Sequence, residues 1–136
     1  MNDVENPPRD WYVVFNAGGR RWWWSKYLQP GFSHAFVIGE ITEKLSVAID
    51  PVLHGCNIIH WNDEAEIVAR CYASYPDHTV LKVTLPGEPR KLFQLESHCV
   101  GVVKRIMGIE SGLTLTPHGL YRLLCRKYAA TQVNPF

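Results

Sequence analysis

Cys99, His34 and Asp50 are the residues of this 136-residue chain whose types and placement suit nucleophilic catalysis. Cys99 falls just after the start, at Glu96 or Ser97, of a helix that runs through CVGVVKRIMG and is closed by Gly108. The spare backbone N–H groups and positive end of a helix stabilise a thiolate at such a position. The same N–H groups can hold the oxyanion of an acyl-transfer intermediate. A thiolate nucleophile needs a base, usually histidine. His34 opens the apolar segment 34–41 (HAFVIGEI), just after a Pro30-Gly31 turn. Asp50 lies near the end of the next apolar segment, 45–52 (LSVAIDPV). A hairpin across the polar turn 42–44 brings the two outer ends together, so the Asp50 carboxylate can orient the His34 ring.

Each residue taken singly has an ordinary structural explanation. Buried cysteine is a common and inert core residue. Histidine often marks a polar strand terminus, and Asp before Pro forms turns. The combination of a helix-start Cys, a strand-start His and a strand-end Asp is what points to chemistry. Other groups compete for the same roles. His98 adjoins Cys99, but neighbouring helical side chains diverge by about 100°. His118 sits near the start of a second helix, where its charged form is disfavoured. Gln94, shortly before Cys99, could offer an amide to an oxyanion. A Cys56, His60 and Cys71 zinc site is conceivable, yet the spacing matches no compact ligand pattern. No metal or cofactor is therefore expected.

The elements that must position these residues form an α+β domain around a small, mostly antiparallel sheet, with helices at the C-terminal end. Residues 11–15 (WYVVF) read as a short buried strand and 16–19 as a turn. Segments 34–41 and 45–52 form the hairpin, with a further strand at 56–61. Residues 63–72 have helical spacing with acids in the first turn, and 78–85 alternate like a strand. Thr116-Pro117 starts the last helix, with Thr as cap and Pro in the first turn; Leu120, Leu123, Leu124 and Tyr128 face inward. Residues 1–10 read as a flexible leader, 11–128 as the domain and 129–136 as a frayed tail.

The 14 basic and 13 acidic side chains leave a net charge of +1, which gives no electrostatic footprint for a nucleic-acid partner. The charge is uneven. Residues 34–88 hold 3 basic and 8 acidic side chains, net −5, and residues 89–136 hold 7 basic and 2 acidic, net +5. Mutual attraction within the fold explains this most simply; an anionic partner is the alternative. The four cysteines form no CxxC pair, the N-terminal residues have no signal-peptide pattern, and no run of about 18 apolar residues occurs. These features point to reduced thiols in a protein made in a cytoplasm, without a transmembrane segment. Arg20-Arg21 followed by Trp22, Trp23 and Trp24 suits a wall of the same cleft, or a partner surface shared with Gln94 and His98.

The motifs PGFSHAFV (30–37), DP (50–51), CVGVVKRIMGI (99–109) and TPHGLYRLL (116–124) resemble small proteins encoded in tailed-phage and prophage genomes. The His-then-Cys order also resembles circularly permuted papain-like proteins of the NlpC type, the group that includes lecithin retinol acyltransferase-like enzymes. That resemblance implies Cys99 as nucleophile, His34 as base and Asp50 as orienter. It implies a cysteine peptidase or amidase acting on a peptidoglycan peptide or an acyl ester. The alternative is a non-catalytic virion or assembly protein of head, neck, tail or ejected complex, built on the same scaffold, with virion proteins or further copies of itself as partners. His98 and Val100, which flank Cys99, differ from the residues around the nucleophile in the better-studied permuted enzymes.

Overall fold

The computed structural model describes residues 8–17, 30–52, 55–85, 99–109, 114 and 116–136. They form an antiparallel sheet of six strands: β1 (Arg9–Asn16), β2 (His34–Thr42), β3 (Leu45–Val52), β4 (Gly55–Trp61), β5 (Thr79–Leu85) and β6 (Thr131–Gln132). Three helices pack with it: α1 (Ala65–Ala73), α2 (Cys99–Met107) and α3 (Pro117–Lys127). The strand order is β4-β3-β2-β1-β5-β6. The expected α+β class with an antiparallel sheet is what the chain adopts. Among the described residues, no helix is long and apolar enough to cross a membrane.

The run Tyr12-Val13-Val14-Phe15 is apolar without alternation because helices cover both faces of β1. Val13 and Phe15 join Ala35, Val37, Val100, Val103, Leu120 and Leu124 in one core. Tyr12 and Val14 join Phe36, Ile38, Ala48, Val68 and Ala69 in the other. So α2 and α3 lie on one face of the sheet and α1 on the opposite face. Burying apolar side chains on both faces is worth about 1.5–3 kcal/mol for each large one, which explains why the N-terminal strand ends up central.

Local rules account for the helix ends. Thr116 accepts a hydrogen bond from the Gly119 backbone N–H at 3.0 Å, with Pro117 in the first turn. Gly108 has φ 74°, the left-handed conformation that closes α2. Within α2 the apolar stripe is interrupted by Lys104, only 1% exposed, whose Nζ donates to the Thr114 carbonyl at 2.8 Å. That bond ties α2 to the segment leading into α3.

Two boundaries differ from the sequence reading. β1 starts at Arg9, inside the expected leader, because Arg9 pairs with Leu85 and Asp10 with Thr84; residues 1–7 lie outside the described part. The C-terminal tail is not frayed. Ala129 takes φ 51° and the Ala130 N–H bonds to the Leu124 carbonyl, which turns the chain back toward the open edge of β5. There Thr131 and Gln132 pair with Lys82 and Leu81, the Val133 N–H bonds to the Val80 carbonyl at 2.8 Å, and Arg70 lies over the Phe136 ring. An unpaired sheet edge supplied the hydrogen bonds that held this segment, and no local pattern announced it.

Gly39 pairs with Trp11 across β1 and β2, and a Cβ there would fall 2.8 Å from the indole Cζ3. The glycine makes room for the ring to lie over the backbone. Gly39→Ala is therefore expected to lower stability by about 1–3 kcal/mol through overpacking, read as a lower midpoint in urea with an unchanged slope.

Candidate active site

His34 is the first residue of β2, and Asp50 stands near the end of β3. The hairpin register pairs Val37 with Ile49 and Ile38 with Ala48. Side chains alternate along a strand, so His34 falls on the side of Phe36, and Asp50 on the side of Ala48. Both point toward the α1 layer. His34 Nε2 lies 2.5 Å from Asp50 Oδ1, a short contact of the charge-assisted kind. With Nε2 committed to Asp50, Nδ1 is the ring nitrogen left for a second partner.

That partner is Cys99. It is the first residue of α2, a free, half-buried thiol packed against the opposite core. It lies within hydrogen-bonding reach of the His34 ring. The three side chains thus meet at the end of the sheet, where β2 starts, β3 finishes and α2 begins. Sixteen positions separate His34 from Asp50, but Cys99 is brought in by the tertiary fold.

Burial on its own would push the His34 imidazole down. The hydrogen bond that the ring donates to Asp50, the contact with Cys99 and the charges there outweigh it and raise the ring from 6.5 to about 9. His34 is therefore an imidazolium at neutral pH, donating through Nε2 to the Asp50 carboxylate. A raised pKa stabilises the folded chain while the proton is bound. The contribution is complete below pH 6.5 and is lost as pH rises toward about 9. With the two side chains 21% and 27% exposed, it is worth about 2–3 kcal/mol at most. Urea titrations are expected to show the wild type losing more stability between about pH 6 and 10 than His34→Gln does; parallel losses would contradict the ion pair.

Aromatic rings extend from this point. The His34 and Phe36 rings are 6.4 Å apart, and Phe36 meets Tyr72 edge-on at 5.1 Å. Tyr72 is raised above its ordinary value of 10, chiefly by burial, then by Tyr75 and by the charge of Asp50. Tyr72 also helps line a pocket of about 130 Å³ with Trp61, Asp63, Ile67, Val68, Cys71 and Tyr75. Phe36 could have been found from its position two residues after His34 on the same side of the strand. Tyr72 comes from α1, and nothing local in its sequence ties it to Asp50.

Other sequence candidates fall elsewhere. Trp22, Trp23, Trp24, Gln94 and His98 lie outside the described residues. His118, on α3, stacks against Tyr121 at 6.0 Å and meets Phe32 edge-on at 5.0 Å. Cys56 and His60 are exposed on β4, and Cys71 is exposed on α1. No group of three His, Cys, Asp or Glu among the described residues is placed to hold a metal ion. No family model matches the chain, and no curated protein or solved structure shows significant similarity to it.

Proposed function

We propose that the chain is a cysteine hydrolase on a permuted papain-like scaffold, cleaving an amide or ester. The observation that carries this reading is one imidazole bonded to a carboxylate through Nε2 and within reach of a helix-start thiol. The Cys99 thiolate attacks the carbonyl carbon, and the spare N–H groups of the first turn of α2 receive the oxyanion. As the intermediate collapses, His34 Nδ1 gives its proton to the leaving amine or alkoxide, and a thioester remains on Cys99. His34, now neutral, takes a proton from water as the hydroxyl oxygen attacks the thioester. Collapse releases the carboxylic acid and restores the thiolate and imidazolium. Asp50 keeps the ring oriented and its positive charge balanced throughout.

The resemblance to phage and prophage proteins suggests a peptidoglycan peptide as substrate and that to the permuted papain-like group an acyl ester, with the protein made in a bacterial cytoplasm and carried in the virion. Fragments of peptidoglycan and short-chain acyl esters are the substrates to assay. Cys99→Ala should abolish turnover of whichever is cleaved, since no other group on this path can form the thioester. Turnover that survives Cys99→Ala would overturn the reading. A second reading, a non-catalytic virion or assembly component on the same scaffold, draws on the large apolar side chains left open to solvent, such as Ile41 at 60% and Ile58 at 70%.

A further inference from the structure

The pocket of about 130 Å³ lies between α1 and the end of β4. Three aromatic rings line it. Trp61 and Tyr72 stand 6.0 Å apart at 85°, and Tyr72 and Tyr75 stand 5.8 Å apart at 85°. Rings set at right angles make a corner, so a chain entering it meets an aromatic ring on more than one side. Ile67 and Val68 supply the aliphatic part of the lining. His78, tied to the Pro76 carbonyl at 2.9 Å, stacks on Tyr72 at 6.2 Å and 19° and steadies that ring. A water needs about 10–15 Å³ of such space, so a chain of several heavy atoms has room here.

The charge at the pocket selects its occupant. Among the described residues, Asp63 is the lining group that carries a full charge at neutral pH, and it has no salt-bridge partner. Glu66 serves the first turn of α1, whereas Asp63 lines the pocket. The chain has no Lys or Arg from residue 45 to residue 69. Arg70, the next cation, lies over the Phe136 ring at 4.3 Å. Aromatic rings attract an ammonium group through their quadrupole, and a carboxylate pairs with it directly. An anion would be repelled, and a neutral chain would leave the carboxylate unused.

We propose that this pocket binds an alkylammonium group, and that the substrate whose carbonyl meets Cys99 carries one. The pocket adjoins the His34–Asp50 pair. The Tyr72 ring is 5.1 Å from Phe36, and Phe36 is 6.4 Å from His34. That the cation belongs to a substrate rests on the hydrolase reading; that the pocket takes an organic cation does not.

Nuclear magnetic resonance of the Cys99→Ala chain tests the pocket apart from the chemistry. The probe is pentylammonium, and the control is 1-pentanol, of the same length and uncharged. Pentylammonium should shift the Trp61 indole N–H saturably and bind at least about threefold more tightly than 1-pentanol. It should also protect Cys71, which lines the pocket, from iodoacetamide. Asp63→Asn should abolish the preference. Tyr75→Leu, at a 54% exposed position, should reduce it and keep the wild-type circular dichroism. Equal affinity for the two probes, or a preference indifferent to both substitutions, would overturn the proposal. In the wild type, Asp63→Asn should raise KM for an amine-bearing amide or ester by at least about threefold, with no change once the amine is acetylated. Binding without turnover of any such substrate would overturn the hydrolase reading and the assignment of the cation to a substrate. Turnover without binding would overturn the pocket and leave the hydrolase reading standing.

Discussion

Replacing His34 with alanine should slow alkylation of Cys99 by iodoacetamide by about 10- to 100-fold near pH 6.5. The reagent attacks thiolate only. An ordinary thiol, with a pKa of about 8.5, is about 1% thiolate at that pH. In the folded chain, the charged His34 ring neighbours Cys99, the kind of Cys–His arrangement that serves nucleophilic catalysis. Removing the ring removes that partner. Cys56, Cys71 and Cys125 are all more exposed than Cys99, so steric access alone would label them first. Preferential labelling of Cys99 in the wild type, reduced to the level of the others in His34→Ala, is the expected pattern. Location of the label by mass spectrometry decides it. Labelling that follows exposure and ignores residue 34 would count against an activated thiol.

Asp50→Asn carries the second large effect. The carboxylate is the foremost of the groups that raise His34. Asparagine can still accept a hydrogen bond from Nε2–H, so the ring keeps its orientation, but the negative charge is gone. The His34 proton should then leave at lower pH. Wild-type activity should hold through neutral pH and fall as pH passes about 9, when the ring loses the proton it gives to the leaving group. In Asp50→Asn that alkaline fall should begin about two pH units lower, toward the ordinary 6.5. Near pH 8 the variant should be about 10- to 100-fold less active than the wild type. Equal alkaline limbs in the two proteins would mean that Asp50 does not hold the proton on His34.

Much of this arrangement was legible because it is local. The alternation of 34–41 and 45–52 around a polar turn specifies a hairpin, and a hairpin of those lengths sets His34 beside Asp50. Thr116-Pro117 and Gly108 mark helix ends through cap chemistry that needs no tertiary context. Long-range pairing was not legible. β1 is central because two separate helical layers compete to bury it, and WYVVF states only that the strand is buried. Residues 131–132 hold to β5 because that edge was free, and ATQVNPF has no strand pattern of its own. The charge of Asp50 acts on Tyr72 through the packing of α1, across a distance in sequence that no spacing rule covers. Lys104 sits buried within an apolar stripe because its amine reaches the Thr114 carbonyl, a contact visible only in three dimensions.

The central claim is that His34 is held as an imidazolium between Asp50 and Cys99 at neutral pH. Nuclear magnetic resonance of the His34 ring during a pH titration tests it most directly. The account predicts a midpoint near 9 in the wild type, moving down in both Asp50→Asn and Cys99→Ala. A wild-type midpoint close to the ordinary 6.5, unmoved by either substitution, would contradict it.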